Sequence, residues 1–383
     1  MENIPLEIIL YGVLPRLPAK SLKCFNCVSK PWLALISSNE FINDHLHYTL
    51  ASNTNHLLIL TGNDTCLYSC NLDFPKGGTV KLPSFGIEPS VVGSCNGLLC
   101  IQSYRPYCLV LLNPSTGSYR ELPSLLPSRR CSAMNFGFGF DSKNDDYKVV
   151  RIVDRYSSLG FLGYHMDRIV HVYSLKKNSW EVIEWTSPEC SMGPSRENGA
   201  LVNNHLLHWK FWCLLESKYR IRCFDLCEKQ WINDVPLPDC MEMGFNTYSD
   251  QNSNTQDRLL DLWVFDGRLY LSIKNQKQSA VDIWVMNEYG IKDSWVKLFE
   301  ISDPRVFEST RVSLIAYQSI KRQILLRIVY KAEHKILWYD IESETVEIAV
   351  IGGLNDSLWV DVCKGTLLDV PGGSKIGTTK QMA

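Results

Sequence analysis

The sequence has no surplus of charge of either sign: 39 Lys plus Arg against 41 Asp plus Glu leave a net −2 over 383 residues. No overall basic field is available to hold a nucleic-acid backbone or an anionic membrane surface, so neither is expected as a partner. Long apolar runs are also missing, and none approaches the ~18 residues of a membrane-spanning helix. The opening stretch MENIPLEIIL carries Glu2 and Glu7 where a secretory signal would be basic. The chain is therefore expected in the cytoplasm, with the nucleus as a second compartment. A phosphate-cradling glycine loop is absent as well, because IGGLND and PGGSK lack the Gly-x-x-x-x-Gly-Lys spacing.

Cysteine, by contrast, is plentiful. In a reducing compartment the fourteen thiols read as small buried hydrophobes and not as a disulfide framework. The two sequons at Asn63 and Asn355 are then chance matches. A hydrophobic fraction of 45% with 21% charged residues belongs to an ordinary folded chain.

The first fifty residues have a helical period. Ile4, Ile8, Ile9 and Val13 recur, LPRLPAK interrupts, Leu22, Phe25 and Val28 recur, SKP interrupts, and Trp32, Leu35 and Ile36 follow. Pro5, Pro18 and Pro31 stand where helices begin, a place where the missing N–H costs nothing. Such a segment, about forty residues long, is too short to bury all of its large apolar groups. Some of that surface is expected to face a partner.

IPLEIILYGVLPRLPAKSLKCFNCVSKPWLALI closely resembles the F-box, through Pro5, Glu7, Ile8, the Leu17-Pro18 step, Ser21, Leu22, Val28, Ser29, Lys30 and Trp32. The resemblance implies docking to a Skp-type adaptor, and through it to the cullin and RING subunits of a Skp-cullin-F-box (SCF) ubiquitin ligase. Pro5, Ile8, Leu14, Leu17, Pro18, Leu22, Val28 and Trp32 are the expected contact set. Plant members often carry basic residues where this chain has Cys24 and Asn26, which would weaken a polar rim contact there. Cys24 and Cys27 have no second ligand pair nearby and are not read as a metal site.

Beyond Thr49 the pattern turns strand-like and repeats six times as strand, polar turn, strand. The first strands close on Asn71, Asn113, Ser174, Asp225, Asn287 and Asp340, spaced 42, 61, 51, 62 and 53 residues apart, near the ~50 of kelch-type arrays. These short polar side chains are expected to hydrogen-bond the backbone two residues on and so start the turn. A bulky residue follows six positions later in four copies, Tyr119, Trp180, Trp231 and Val346, and further on in two, Val80 and Trp295. It is expected to pack one small sheet on the next. Further apolar strands upstream bring each copy to four, the content of a propeller blade. The first copy lacks its leading strand, and the surplus SLWVDVC (357–363) is expected to supply it.

The fold expected is thus mainly β with a small α N-terminal domain: a three-helix F-box (1–48), a kelch-like β-propeller of six blades closed by the C-terminal strand (49–371) and a flexible tail (372–383). LLNPSTGSYRELP, GFGFDSKNDDYKVVRI, IWVMNEYGIKDSWVKLFEI and NDSLWVDVCKGTLLDVPGGS resemble the plant F-box-associated interaction domain, most closely the S-locus F-box type and its relatives. That resemblance implies a receptor that recruits a target protein for ubiquitination and proteasomal degradation. For the S-locus type, the target is a secreted ribonuclease (S-RNase) recognised in self-incompatibility.

No catalytic, cofactor or metal site is expected. GSCNG (93–97) has the spacing of a nucleophile elbow around Cys95, but a strand follows it where a helix is needed, so Asn96-Gly97 reads as a hairpin turn. DSKNDDYKVVRI (141–152) misses the glycine and the twelfth-position carboxylate of a calcium loop and reads as a solvated hairpin loop. His205 and His208 point to opposite faces of a strand. Cys66/Cys70 and Cys223/Cys227 lack a matching histidine cluster. Target recognition is expected on loops, namely LPSRRCSA (126–133), DRYSSLGFLGYHMDR (154–168) and FNTYSDQNSNTQDR (245–258), with Arg129, Arg130, Asp250 and Asp257 as candidate residues. Asp250 and Asp257, beside Glu242, would suit a basic target. The rival readings are an F-box scaffold or decoy without ligase activity, and a propeller enzyme or lectin with an unrelated helical N-terminus.

Overall fold

The computed structural model describes residues 7–52, 55–62, 64, 66–72, 78–86, 89–104, 107–125, 131–157, 165–185, 198–213, 216, 218–242, 260–275, 278–318, 321–331, 333–351 and 357–375. The chain divides into two compact units, one holding residues 1–124, 350–355 and 359–383, the other 125–349 and 356–358.

The first unit opens with a π-helical turn, Ile8–Val13, and a 3-10 turn, Leu14–Arg16, followed by α1 (Ala19–Phe25), α2 (Lys30–Ile36) and α3 (Asn39–Ala51). Pro18 caps α1 and Pro31 lies in the first turn of α2, as the sequence predicts; Pro5 lies outside the described residues. Ser29 and Ser38 accept from the backbone N–H groups of Trp32 (3.3 Å) and Phe41 (3.2 Å), which starts α2 and α3. The longest helix, α3, was not anticipated, and it carries the helical region past residue 48 to Ala51.

Two antiparallel sheets complete this unit. One contains β1 (His56–Gly62), β2 (Leu67–Asn71) and β3 (Val80–Lys81), with β24 (Ser357–Lys364) on the free side of β1. The surplus C-terminal strand thus completes the first blade, as expected. The other contains β4 (Ser90–Cys95), β5 (Leu98–Tyr104), β6 (Tyr107–Leu112) and β7 (Ser118–Leu122), extended by β25 (Ser374–Lys375). Because Ser374 and Lys375 pair with Tyr119 and Ser118, the segment expected to be a flexible tail from residue 372 is in part a fifth strand. A core of Ile59, Leu67, Leu82, Leu99, Ile101, Leu112 and Cys363 joins the two blades.

The second unit holds four four-stranded sheets: β8–β11 (Cys131–Asp141, Asp146–Ser157, His165–Ser174, Ser179–Ile183), β12–β15 (Ala200–Val202, Leu206–Cys213, Lys218–Asp225, Gln230–Val235), β16–β19 (Leu260–Phe265, Arg268–Asn275, Ala280–Met286, Trp295–Ile301) and β20–β23 (Arg311–Gln318, Gln323–Tyr330, Glu333–Asp340, Thr345–Ile348). The molecule is therefore mainly β, with six blades of β-propeller type behind a small helical segment, as its repeats predict.

Three of the six anchors act as expected. Asn113, Asp225 and Asp340 each accept through Oδ1 from the N–H groups two and three residues on, at 2.7–3.2 Å. Trp231 packs into the core shared by the β8–β11 and β12–β15 sheets, and Trp295 donates Nε1–H to the Pro236 carbonyl at 2.8 Å. Asn96 (φ 53) and Gly97 (φ 82) make the turn between β4 and β5, so GSCNG is a hairpin, as predicted.

The 141–152 loop differs from expectation. Its hairpin is present, but Asp141 is fully buried and ion-paired with the equally buried Lys148, whose ammonium also donates to the Leu226 carbonyl at 2.8 Å. Four acidic or amide side chains in eight residues suggest solvation, but an opposite charge seven residues on allows the first of them inside.

Candidate functional site

The helical segment of the first unit sorts its apolar residues into two sets. Leu14, Ala19, Leu22, Ile36 and Phe41 are buried together with Leu367 from the C-terminal stretch, flanked by Leu17, Phe25, Trp32 and Leu35. Phe25 and Trp32 meet edge to face, with ring centroids 5.7 Å apart. His45 is also buried, its Nε2 lying 3.0 Å from the Leu17 carbonyl. Burial lowers its pKa below the ordinary value, and the Leu17 bond opposes that shift. On the outside stand Ile8 (54% exposed), Tyr11 (70%), Val13 (45%), Val28 (62%) and Leu33 (46%).

These are five of the fourteen exposed large apolar side chains among the described residues, all between positions 8 and 33. Isolated exposed apolar residues are ordinary, but these five are concentrated on one short segment whose core is already filled. The backbone beneath is fixed: Lys23 donates to the Thr116 carbonyl (2.9 Å) and to that of Ser115 (3.4 Å), in the turn between β6 and β7.

Of the expected contact set, Ile8, Pro18 and Val28 are exposed, while Leu17 and Trp32 are half-buried. Pro5 lies outside the described residues. Leu14 and Leu22, at 1% and 0% exposure, are corrected: they fill the core and support the surface without forming it. Tyr11, Val13 and Leu33 were missed. For Tyr11 and Val13 the signal is the run IILYGV, apolar around its whole circumference, of which a turn packed on one side buries only part. Cys24 and Cys27 are exposed free thiols.

The expected target-facing residues Arg129, Arg130, Asp250 and Asp257 lie outside the described residues, as does the whole of 245–258. The 154–168 loop is shorter than expected, because β9 extends to Ser157 and β10 begins at His165. Its ends are not free for a target. Asp154 and Arg168 pair at 2.6 Å with side chains only 5% and 6% exposed, and the Arg168 guanidinium lies 4.5 Å from the ring centre of Trp185.

The remaining chemical candidates are placed as follows. His208 is buried in β13 with Nε2 2.6 Å from the Tyr289 hydroxyl, and burial pushes its pKa down to about 4. Burial also pushes the thiols of Cys70 and Cys223 up, to about 11 and about 12, so neither is a ready nucleophile. Cys95 is fully buried and shifted the same way. His205 lies in the turn before β13, half-buried. No helix among the described residues is long and apolar enough to cross a membrane.

Residues 57–363 match the family model of the F-box associated beta propeller domain. The chain is 33% identical over 395 residues to F-box protein CPR1 of Arabidopsis thaliana, covering 97% of this chain and 92% of that protein. It is 31% identical over 378 residues to F-box protein At4g22390 of the same plant, covering 92% and 87%. F-box/kelch-repeat protein At3g23880, also from Arabidopsis thaliana, is 27% identical over 316 residues, covering 78% and 80%.

Proposed function

The chain belongs to the plant F-box proteins that carry an F-box-associated β-propeller, and from that premise we propose that it is the substrate receptor of an SCF ubiquitin ligase. The helical segment binds the Skp-type adaptor, and the propeller holds a target protein within reach of ubiquitin supplied by the other subunits. Catalysis is then by raised effective concentration, and the chain itself contributes no catalytic residue. In this reading it works in the cytoplasm and the nucleus.

The observation that carries the proposal is the exposed apolar set Ile8, Tyr11, Val13, Val28 and Leu33 over a complete core. Truncation of a central interface residue costs about 2 kcal/mol or more. The double variant Val28→Asp/Leu33→Asp alters only exposed side chains. It should weaken Skp-adaptor capture by the full chain at least 100-fold while leaving the unfolding midpoint unchanged. Adaptor binding within threefold of the parent would sink the assignment. Reconstituted ubiquitination separates a receptor from a scaffold or decoy, and affinity capture with the proteasome blocked identifies the target.

The resemblance of 111–123, 137–152, 283–301 and 355–374 to the S-locus type supports a narrower version, in which the target is a basic secreted ribonuclease. Asp250 and Asp257 are the residues to reverse in charge. Such a variant should lose ribonuclease binding and keep the adaptor; unchanged ribonuclease binding would refute that choice of site.

A further inference from the structure

We propose that His205, Asp225 and Cys227 form a zinc site in the β12–β15 sheet. One ligand atom from each of the three lies within 4.8 Å of the other two, and all three residues are half-buried. The sequence separates Cys227 from His205 by 22 positions. The β13–β14 hairpin removes that distance, pairing Leu206 with Asp225 and bonding the Leu226 N–H to the His205 carbonyl at 3.0 Å.

Two of the three ligands, His205 and Asp225, are already oriented. His205 Nδ1 lies 2.7 Å from the Asn203 carbonyl, the bond that fixes Nδ1–H as donor and leaves the Nε2 lone pair for an ion. The turn that places this ring holds Asn203 and Asn204 at φ 50 and 64, conformations that asparagine tolerates better than most residues. Asp225 Oδ1 accepts from the N–H groups of Cys227 (2.7 Å) and Glu228 (3.2 Å), which clamps the carboxylate and leaves its second oxygen available.

A nitrogen, a carboxylate oxygen and a thiolate together suit a borderline ion, Zn2+ before Mg2+ or Ca2+. Bond lengths of about 2.0–2.3 Å place tetrahedral ligands roughly 3.3–3.8 Å apart, so the three atoms need close by no more than about 1.5 Å. Two anionic ligands and one neutral imidazole balance the ion's charge, and the Cys227 proton is released to solvent on binding. The fourth position is left to water.

The test uses the full chain with Co2+ as the spectroscopic probe and Zn2+ for stability. Wild type should bind about one equivalent of Co2+ with a thiolate-to-metal absorption band that Cys227→Ser abolishes. His205→Ala, which keeps the thiol, should weaken binding at least tenfold. Zn2+ should raise the unfolding midpoint of wild type and of neither variant. A band that survives both substitutions would assign the metal to other thiols, such as the exposed Cys24/Cys27 pair, and would overturn the proposal. Absence of any saturable band would do the same. Should Cys227→Ser prove insoluble, His205→Ala decides alone, since its thiol and its turn backbone are retained.

Discussion

His208 and His56 are held neutral by burial, each at about 4, with Lys364 adding to the effect at His56. Both values lie below the ~6.5 of an exposed histidine, so the folded state resists the proton that the unfolded chain accepts. Their contribution is complete above about pH 6.5 and is lost as the pH falls toward 4, roughly 3 kcal/mol apiece. Urea unfolding between pH 7 and pH 4.5 should show this decline. In His208→Gln the slope should shrink by about one proton. A second contrast concerns the turn anchors. Asp340 holds its own turn and accepts one further bond, from Gln323 on the neighbouring strand (3.2 Å), so Asp340→Ala should cost about 1 kcal/mol. Asn113 is fully buried and also donates to the carbonyls of Thr366 (3.1 Å) and Leu368 (2.6 Å). Asn113→Ala should therefore cost about 2–4 kcal/mol by thermal or urea denaturation. The turn role of both anchors was readable from type and spacing. The extra bonds of Asn113 were not, because their partners lie some 250 residues away in sequence.

At the scale of elements, strands announced themselves and one helix did not. The repeats succeed as a signal because every blade must bury both faces of its inner strands, which forces apolar runs between polar turns. α3 turns Phe41, His45 and Thr49 inward. Two of these are polar, so its buried face has no apolar stripe to detect, and only the Ser38 cap marks its start. The surface of the helical segment was half legible for a related reason. Periodicity puts Leu22, Phe25 and Val28 on one face, but it does not show that Leu22 joins a core with the C-terminal Leu367 while Val28 stays outside. The last strands carry a prediction of their own. A chain stopped after residue 356 leaves β1 with an open edge and the helical core without Leu367. It should elute from size exclusion as aggregate, whereas a chain stopped after residue 375 should behave as the parent.

For the whole molecule, a net charge of −2 leaves recognition to local surfaces and not to a long-range field. The fold class followed from the sequence because six repeats vote for it together. The loop residues proposed to meet a target did not, since loop side chains obey no period and owe nothing to the core.

One closure, that of the first blade, also sets a clock. The backbone N–H of Gly365 bonds the carbonyl of Asn55 at 2.7 Å, so neighbours in space are separated by about three hundred residues of synthesis. At 5–20 residues per second the ribosome needs roughly 15–60 s to deliver the second partner after the first. Throughout that interval β1 emerges with a bare edge and the helical segment lacks its final core residue. A chaperone, or an adaptor already seated on the nascent helices, has that long to act. Any message cut short yields a product that never passes this last step.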